Sequence, residues 1–194
     1  MAEWKNSIIT YIDLIGIKST AEKYNSKASD VMRSMHHLVE KVMNTEMSNH
    51  DHCYIWNDSI LLLSILESEY INRNVNDVMK EADRLKKKID IICPSYAISV
   101  KGQIFPEDSS QNAPIDCDTI KHQPKTIKLK ASSYAMGNCF LIESRLGKRL
   151  KKPWYVDSRI ANQLDTVETR TEHSIKMLPK NKRRKVLVFN DYLW

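Results

Sequence analysis

The sequence predicts an α+β fold, a mainly antiparallel sheet with helices packed on one face. Apolar runs of β type at residues 7–15, 52–66 and 96–105 are separated by two long stretches whose apolar residues recur at helical spacing. The run at 52–66 holds two strands meeting at Asn57-Asp58, residue types that tolerate tight turns, so it reads as an antiparallel hairpin. With 194 residues, 42% of them apolar and 28% charged, the chain has the size and composition of one domain, spanning 1–194, with a real core.

The first strand, residues 7–15, ends at Gly16. From Ser29 to Met47, Val31, Met32, Met35, Leu38, Val39, Val42 and Met43 form one face of an amphipathic helix whose methionines serve as core filling. After the hairpin, Val75, Val78, Met79, Ala82, Leu85 and Ile89 line a second core-covering helix, and its Lys86-Lys87-Lys88 run reads as a solvated end. "YAISVKGQIF", 96–105, alternates like a strand. From Pro106 to Lys125 the chain turns polar, with three prolines and no periodicity, the mark of a long surface loop. "YAMGNCFLIESRLGKRL" reads as a helix with Phe140, Leu141 and Ile142 inward. A short strand "WYVD", a helix from Ser158 through Leu164, and strands near "HSIKML" and "RKVLVF" joined by the basic turn "PKNKRR" complete the chain. This order matches a ferredoxin-like palm.

The net charge of +6 is compatible with polyanionic ligands but selects none. No stretch approaches the ~18–20 apolar residues that span a bilayer, and "MAEWKNSIIT" lacks the basic start and apolar core of a secretion signal. The expected compartment is the cytoplasm, with no membrane partner. Cys53, Cys93, Cys117 and Cys139 are scattered without CxxC spacing and read as free thiols. "HDHC", His50–Cys53, has no second cluster to complete four zinc ligands. Basic and aromatic residues do not interleave as in RNA-binding modules, so no nucleic-acid partner is expected.

One residue breaks the apolar logic. Asp13 sits among Tyr11, Ile12, Leu14 and Ile15, where an unpaired carboxylate is costly to desolvate. It must reach solvent at the strand's end or be balanced by cations or donors. In a palm, the end of the first strand adjoins the tip of the following hairpin, so Asp13 and Asp58 converge. Two close carboxylates repel unless a cation intervenes, and such hard oxygen donors suit Mg²⁺ or Mn²⁺ shared with a phosphate-bearing substrate.

Three blocks together resemble the catalytic domain of class III nucleotidyl cyclases. "YIDLIGIKS" is similar to the family's first metal strand, and "YIWNDSILL" to the hairpin of the second metal aspartate, with Asn57 in place of the usual glycine. In "YAMGNCFLIESRLGKRLKKPWYVDSRIANQL" a glycine opens a helix and an arginine follows eight residues later. The resemblance implies that Asp13 and Asp58, with the Leu14 carbonyl, hold two divalent ions, Mg²⁺ or Mn²⁺, and that Leu14, Ile15 and Gly16 lie against the nucleotide. It implies that Arg145 stabilises charge on the α-phosphate, with Lys180 and Lys182 as candidates for a further phosphate contact. The base-reading positions correspond to Tyr54 and Tyr134, which argues against standard adenine recognition, and the ribose-orienting asparagine is replaced by Leu141.

The short, tyrosine-lined domain is more similar to the bacterial pyrimidine cyclases of Pycsar anti-phage systems than to hormone-type adenylate cyclases. The resemblance therefore implies a homodimer, with the active site between its subunits, that converts UTP or CTP to the 3′,5′-cyclic nucleotide and pyrophosphate. The product is a defence signal for a separate effector. A catalytically weak or inactive nucleotide-sensing module and a purine cyclase are the competing expectations.

Overall fold

The computed structural model describes residues 5–68, 71–104, 106–107, 128–129, 133–147, 150, 153–165, 170–176, 183–190 and 192–194. The elements run β1 (Lys5–Leu14), α1 (Ile17–Lys23), α2 (Asn25–Thr45), β2 (Asp51–Trp56), β3 (Ser59–Ile65), β4 (Glu67–Ser68), β5 (Ile71–Asn72), α3 (Val75–Ile92) and β6 (Ser95–Ile104). There follow β7 (Pro106–Glu107), β8 (Lys128–Leu129), α4 (Ser133–Leu146), β9 (Trp154–Asp157), α5 (Ser158–Ala161), β10 (Arg170–Lys176) and β11 (Arg183–Phe189).

Seven of the described strands form one sheet in the order β10-β11-β9-β6-β1-β3-β2. All its pairings are antiparallel except β6 with β9. This is the expected α+β arrangement. Residues of α2, α3 and α5 share one core with Ile8, Ile12, Leu14, Ile60 and Leu62 of the sheet. The opposite face carries α4, whose Cys139, Ile142 and Leu146 pack on Ile9, Tyr11, Leu61, Leu63 and Ile98. Because both faces of β1 and β3 are covered, their apolar residues form continuous runs instead of a clean alternation. Among the described residues, no helix is long and apolar enough to cross a membrane.

Several local boundaries move for visible reasons. Helix α4 stops at Leu146, short of the expected Leu150, because Gly147 takes φ +46 and turns the chain out of the helix. Gly137 lies inside α4 and does not open it. Its inward side is carried by Cys139, Ile142 and Leu146, with Phe140 and Leu141 only partly buried. Helix α5 ends at Ala161 and not at Leu164, since the following residues tighten into hydrogen bonds from Gln163 N to Ile160 O and Leu164 N to Ala161 O. The short helix α1 was not anticipated, while most of the expected loop after Pro106 lies outside the described residues.

The lysine run on α3 is not simply solvated. Lys86 is fully buried, 2.5 Å from Asp90, with its ammonium over the Tyr192 ring; Lys87 reaches Asp83 at 3.0 Å, and Lys88 pairs with Glu46. The C-terminal residues close over this helix, with Tyr192 donating to Asp90 at 2.8 Å and Leu193 N to Asp83 at 3.0 Å. Those contacts turn a charged helix face into an interior one.

Within "HDHC", Asp51 is committed to an ion pair and not to a metal. Arg73 contacts both of its oxygens, at 2.8 and 3.1 Å, and also pairs with Glu81. Burial, then the Asp51 carboxylate, raises Glu81 from 4.5 to about 7 despite Arg73 and Arg84. The folded state thus holds a proton that the unfolded chain releases near 4.5, so this contribution to stability, full below that pH, is lost as pH rises toward about 7. In urea melts across pH 4–8, Glu81→Gln should remove this downward slope; parallel pH profiles for the two proteins would contradict the assignment.

Candidate active site

The site is built where β1 ends against the hairpin tip. Strands β1 and β3 pair with Asp13 opposite Ser59, and the Leu14 amide donates to the Asp58 carbonyl at 3.1 Å. On the other side β6 places Tyr96 opposite Asp13. Odd-numbered residues of β1 face α4, so the Asp13 side chain shares a face with Ile9 and Tyr11.

The hairpin tip needs an unusual backbone. Asn57 takes φ +55, a left-handed conformation that asparagine tolerates at small cost. Its carbonyl lies 2.8 Å from His36 Nε2 of α2, which ties the turn carrying Asp58 to the helical layer. At the end of β1, Gly16 adopts φ +85 before α1, and Ile15, 44% exposed, is held by its amide to the Pro94 carbonyl at 2.7 Å.

Both Asp13 oxygens are occupied by hydroxyl donors. Ser59 Oγ donates to Oδ1 at 2.6 Å and Tyr96 O–H to Oδ2 at 2.9 Å. Since the single Ser59 hydrogen points at Asp13, its oxygen accepts from the Tyr11 hydroxyl at 3.1 Å. Tyr96 also meets Glu143 of α4. Burial raises the Asp13 pKa above the usual carboxylate range; the Ser59 and Tyr96 donors oppose this, while the Asp58 and Glu143 charges add to it. Burial likewise drives the Tyr11 and Tyr96 phenols upward, so both stay protonated donors.

The strand register and the Leu14 amide bond thus put the backbone of Asp58 beside the end of β1 that carries Asp13, and the Asp58 charge adds to the upward push on the Asp13 pKa. Among the described residues, no group of three or more His, Cys, Asp or Glu side chains is arranged to hold a metal ion. The two carboxylates nonetheless fit a Mg²⁺ or Mn²⁺ site in donor chemistry. Such ions bind through one or two carboxylates plus water and substrate phosphate, and a cation would relieve the crowding of like charges around Asp13.

Other predicted residues are not gathered here. Arg145 is exposed in the last turn of α4, two positions from Glu143, a spacing that puts the two on different helix sides. Among the described residues it makes no ion pair with Asp13. Tyr54 extends from β2 on the α4 face of the sheet, partly buried against that core. Leu141 packs into the same core. Tyr134 is in the first turn of α4, its side chain outside the described residues, as are Lys180 and Lys182. Sequence reasoning missed Ser59, Tyr96, Tyr11, Glu143 and His36. Ser59 was discoverable as the neighbour of Asp58, but the others depend on register and on which way α4 faces.

Comparison with known proteins bears on this arrangement. No protein-family model and no curated protein matches the sequence. Among solved structures, the guanylyl cyclase Cya2 aligns over 98% of this chain and 94% of its own, with TM-score 0.58 and 11% identity. The adenylyl cyclase CyaB from P. aeruginosa aligns over 98% and 96%, with TM-score 0.63 and 9% identity. A bacterial light-regulated adenylyl cyclase gives TM-score 0.64 at 9% identity, this chain spanning 54% of its length. At such identities the likeness is one of fold.

The turn at Asn57 supplies a direct check. Asn57→Gly should leave stability nearly unchanged, whereas Asn57→Val, β-branched at φ +55, should cost about 1–2 kcal/mol in a denaturant melt; equal stabilities would contradict the left-handed turn. The chain carries a class III nucleotidyl cyclase-like fold.

Proposed function

We propose that the chain is a nucleotidyl cyclase catalytic domain that converts a nucleoside triphosphate, UTP or CTP by preference, to the 3′,5′-cyclic nucleotide and pyrophosphate. The observation that carries this reading is the strand register that sets Asp13 at the end of β1 next to the turn holding Asp58, in a fold shared with purine cyclases. In the reaction the ribose 3′ oxygen attacks the α-phosphorus and pyrophosphate leaves. Asp13 and Asp58, with the Leu14 carbonyl, would be the groups that hold divalent ions. When bound, two such ions activate the attacking oxygen and neutralise charge on the leaving group. Ile15 and Gly16 border the phosphates, and Gly16 keeps a turn that a side chain would strain.

The exposure of Arg145 in the last turn of α4 is consistent with a homodimer in which each subunit's arginine serves its partner's site. There its fixed guanidinium neutralises charge growing on the transferring phosphoryl group. Tyr54 and Tyr134 are proposed to read the base, and Lys180 or Lys182 to contact phosphate. A role in anti-phage signalling through a separate effector belongs to the same proposal. The competing reading, a nucleotide sensor with little or no turnover, draws on Leu141, an apolar packing residue at the position of a sugar-orienting amide.

Incubation with each of ATP, GTP, CTP and UTP plus Mn²⁺ should release pyrophosphate and a cyclic product from a pyrimidine substrate. Asp58→Asn should lower turnover by about 1000-fold or more, the loss of several kcal/mol of charge stabilisation, at an unchanged melting temperature. Tyr54→Ala should change which base is accepted. Tight triphosphate binding without pyrophosphate release would leave the sensor reading.

A further inference from the structure

The Asp13 carboxylate is gripped at both oxygens, and its second grip reaches the helix on that face. Tyr96 stands directly across from Asp13 in the β1–β6 register, is 7% exposed, and rests edge-on against Tyr11 with ring centroids 6.4 Å apart. Its hydroxyl donates to Asp13 Oδ2 at 2.9 Å and also meets Glu143 Oε1 of α4. The far oxygen is set by Ser59 at 2.6 Å, itself fixed by Tyr11. Helix α4 is pinned to the same strands by the Cys139 thiol, 3.7 Å from the carbonyls of Ile9 and Ile98.

We propose that Tyr96 is a positioning residue for Asp13, and that Glu143 anchors the Tyr96 hydroxyl so that the carboxylate stays turned toward the hairpin tip and Asp58. The proposal rests on the metal-binding reading above. Two hydroxyl donors on opposite oxygens fix the plane of a carboxylate that would otherwise rotate about its last bond. Each oxygen keeps a second lone pair, so the grip and an ion can share the carboxylate. Outer partners of this kind matter because a ligand held in place loses less freedom when the ion arrives; their removal typically costs about 10–100-fold in metal affinity. Glu143 acts one contact further out. The single phenol hydrogen is shared between Asp13 Oδ2 and Glu143 Oε1, which is how Glu143 fixes the ring's position; a glutamine can fix it by donating to the phenol oxygen, leaving the hydrogen to Asp13.

The test is Mn²⁺ binding by the purified protein, read from the paramagnetic signal of the free ion, alongside thermal melts and pyrophosphate release. Tyr96→Phe should weaken Mn²⁺ binding about 10–100-fold. Its melting temperature should stay near the parent's, and the activity loss should fall on the Mn²⁺ requirement more than on kcat at saturating metal. Glu143→Ala should weaken binding in the same direction, and Glu143→Gln should restore it. If Asp13→Asn loses Mn²⁺ while Tyr96→Phe and Glu143→Ala bind it as the parent does, the positioning role is wrong and the metal reading stands. If Asp13→Asn binds Mn²⁺ as tightly as the parent, the metal reading fails and the positioning role goes with it.

Discussion

The register between β1 and β3 is the constraint on which the site depends. With Asp13 opposite Ser59, the carboxylate emerges on the α4 face beside the turn that carries Asp58. A slip of one residue would turn it into the apolar layer occupied by Ile8, Ile12 and Leu14. Close packing resists such a slip, since every β1 and β3 side chain between Ile8 and Ile12, and between Ile60 and Ile65, is buried on one face or the other, and buried Thr10 is bonded to Ser99 at 2.7 Å. The fold thus places the acid by way of the core.

Holding a carboxylate there has a desolvation cost, and the chain offsets it with hydroxyls. Ser59 and Tyr96 are neutral donors that satisfy Asp13 without cancelling its charge, and Tyr11 in turn donates to Ser59. Elsewhere the same problem is solved differently. Asp51 is matched by the Arg73 guanidinium, Asp90 by Lys86 and Asp157 by Arg159, each a cation placed against a buried or nearly buried acid. Asp13 receives no cation from its own chain among the described residues. Asp13 differs from those acids in having hydroxyl donors where they have a cation.

Much of this was legible in the sequence. Periodicity marks α2 and α3, with Val75, Val78, Met79, Ala82, Leu85 and Ile89 all buried as expected, and the hairpin turn at Asn57-Asp58 follows from residue types that accept a left-handed backbone. The neighbouring positions of Asp13 at the end of β1 and Asp58 in the turn before β3 follow from strand order. What was not legible depends on contacts distant in sequence. Lys86 looks like a solvated lysine until the C-terminal tail lays Tyr192 over it. Tyr96 looks like an ordinary strand aromatic until the β1–β6 register sets it against Asp13. Glu143 becomes visible only once Cys139, Ile142 and Leu146 fix which side of α4 meets the sheet.

A crystal structure of the protein with Mn²⁺ and a non-hydrolysable pyrimidine triphosphate tests the central claim most directly. The account predicts anomalous density for manganese between the carboxylates of Asp13 and Asp58, in contact with the triphosphate. Manganese bound elsewhere, or carboxylates turned apart with the triphosphate seated away from the end of β1, would contradict it.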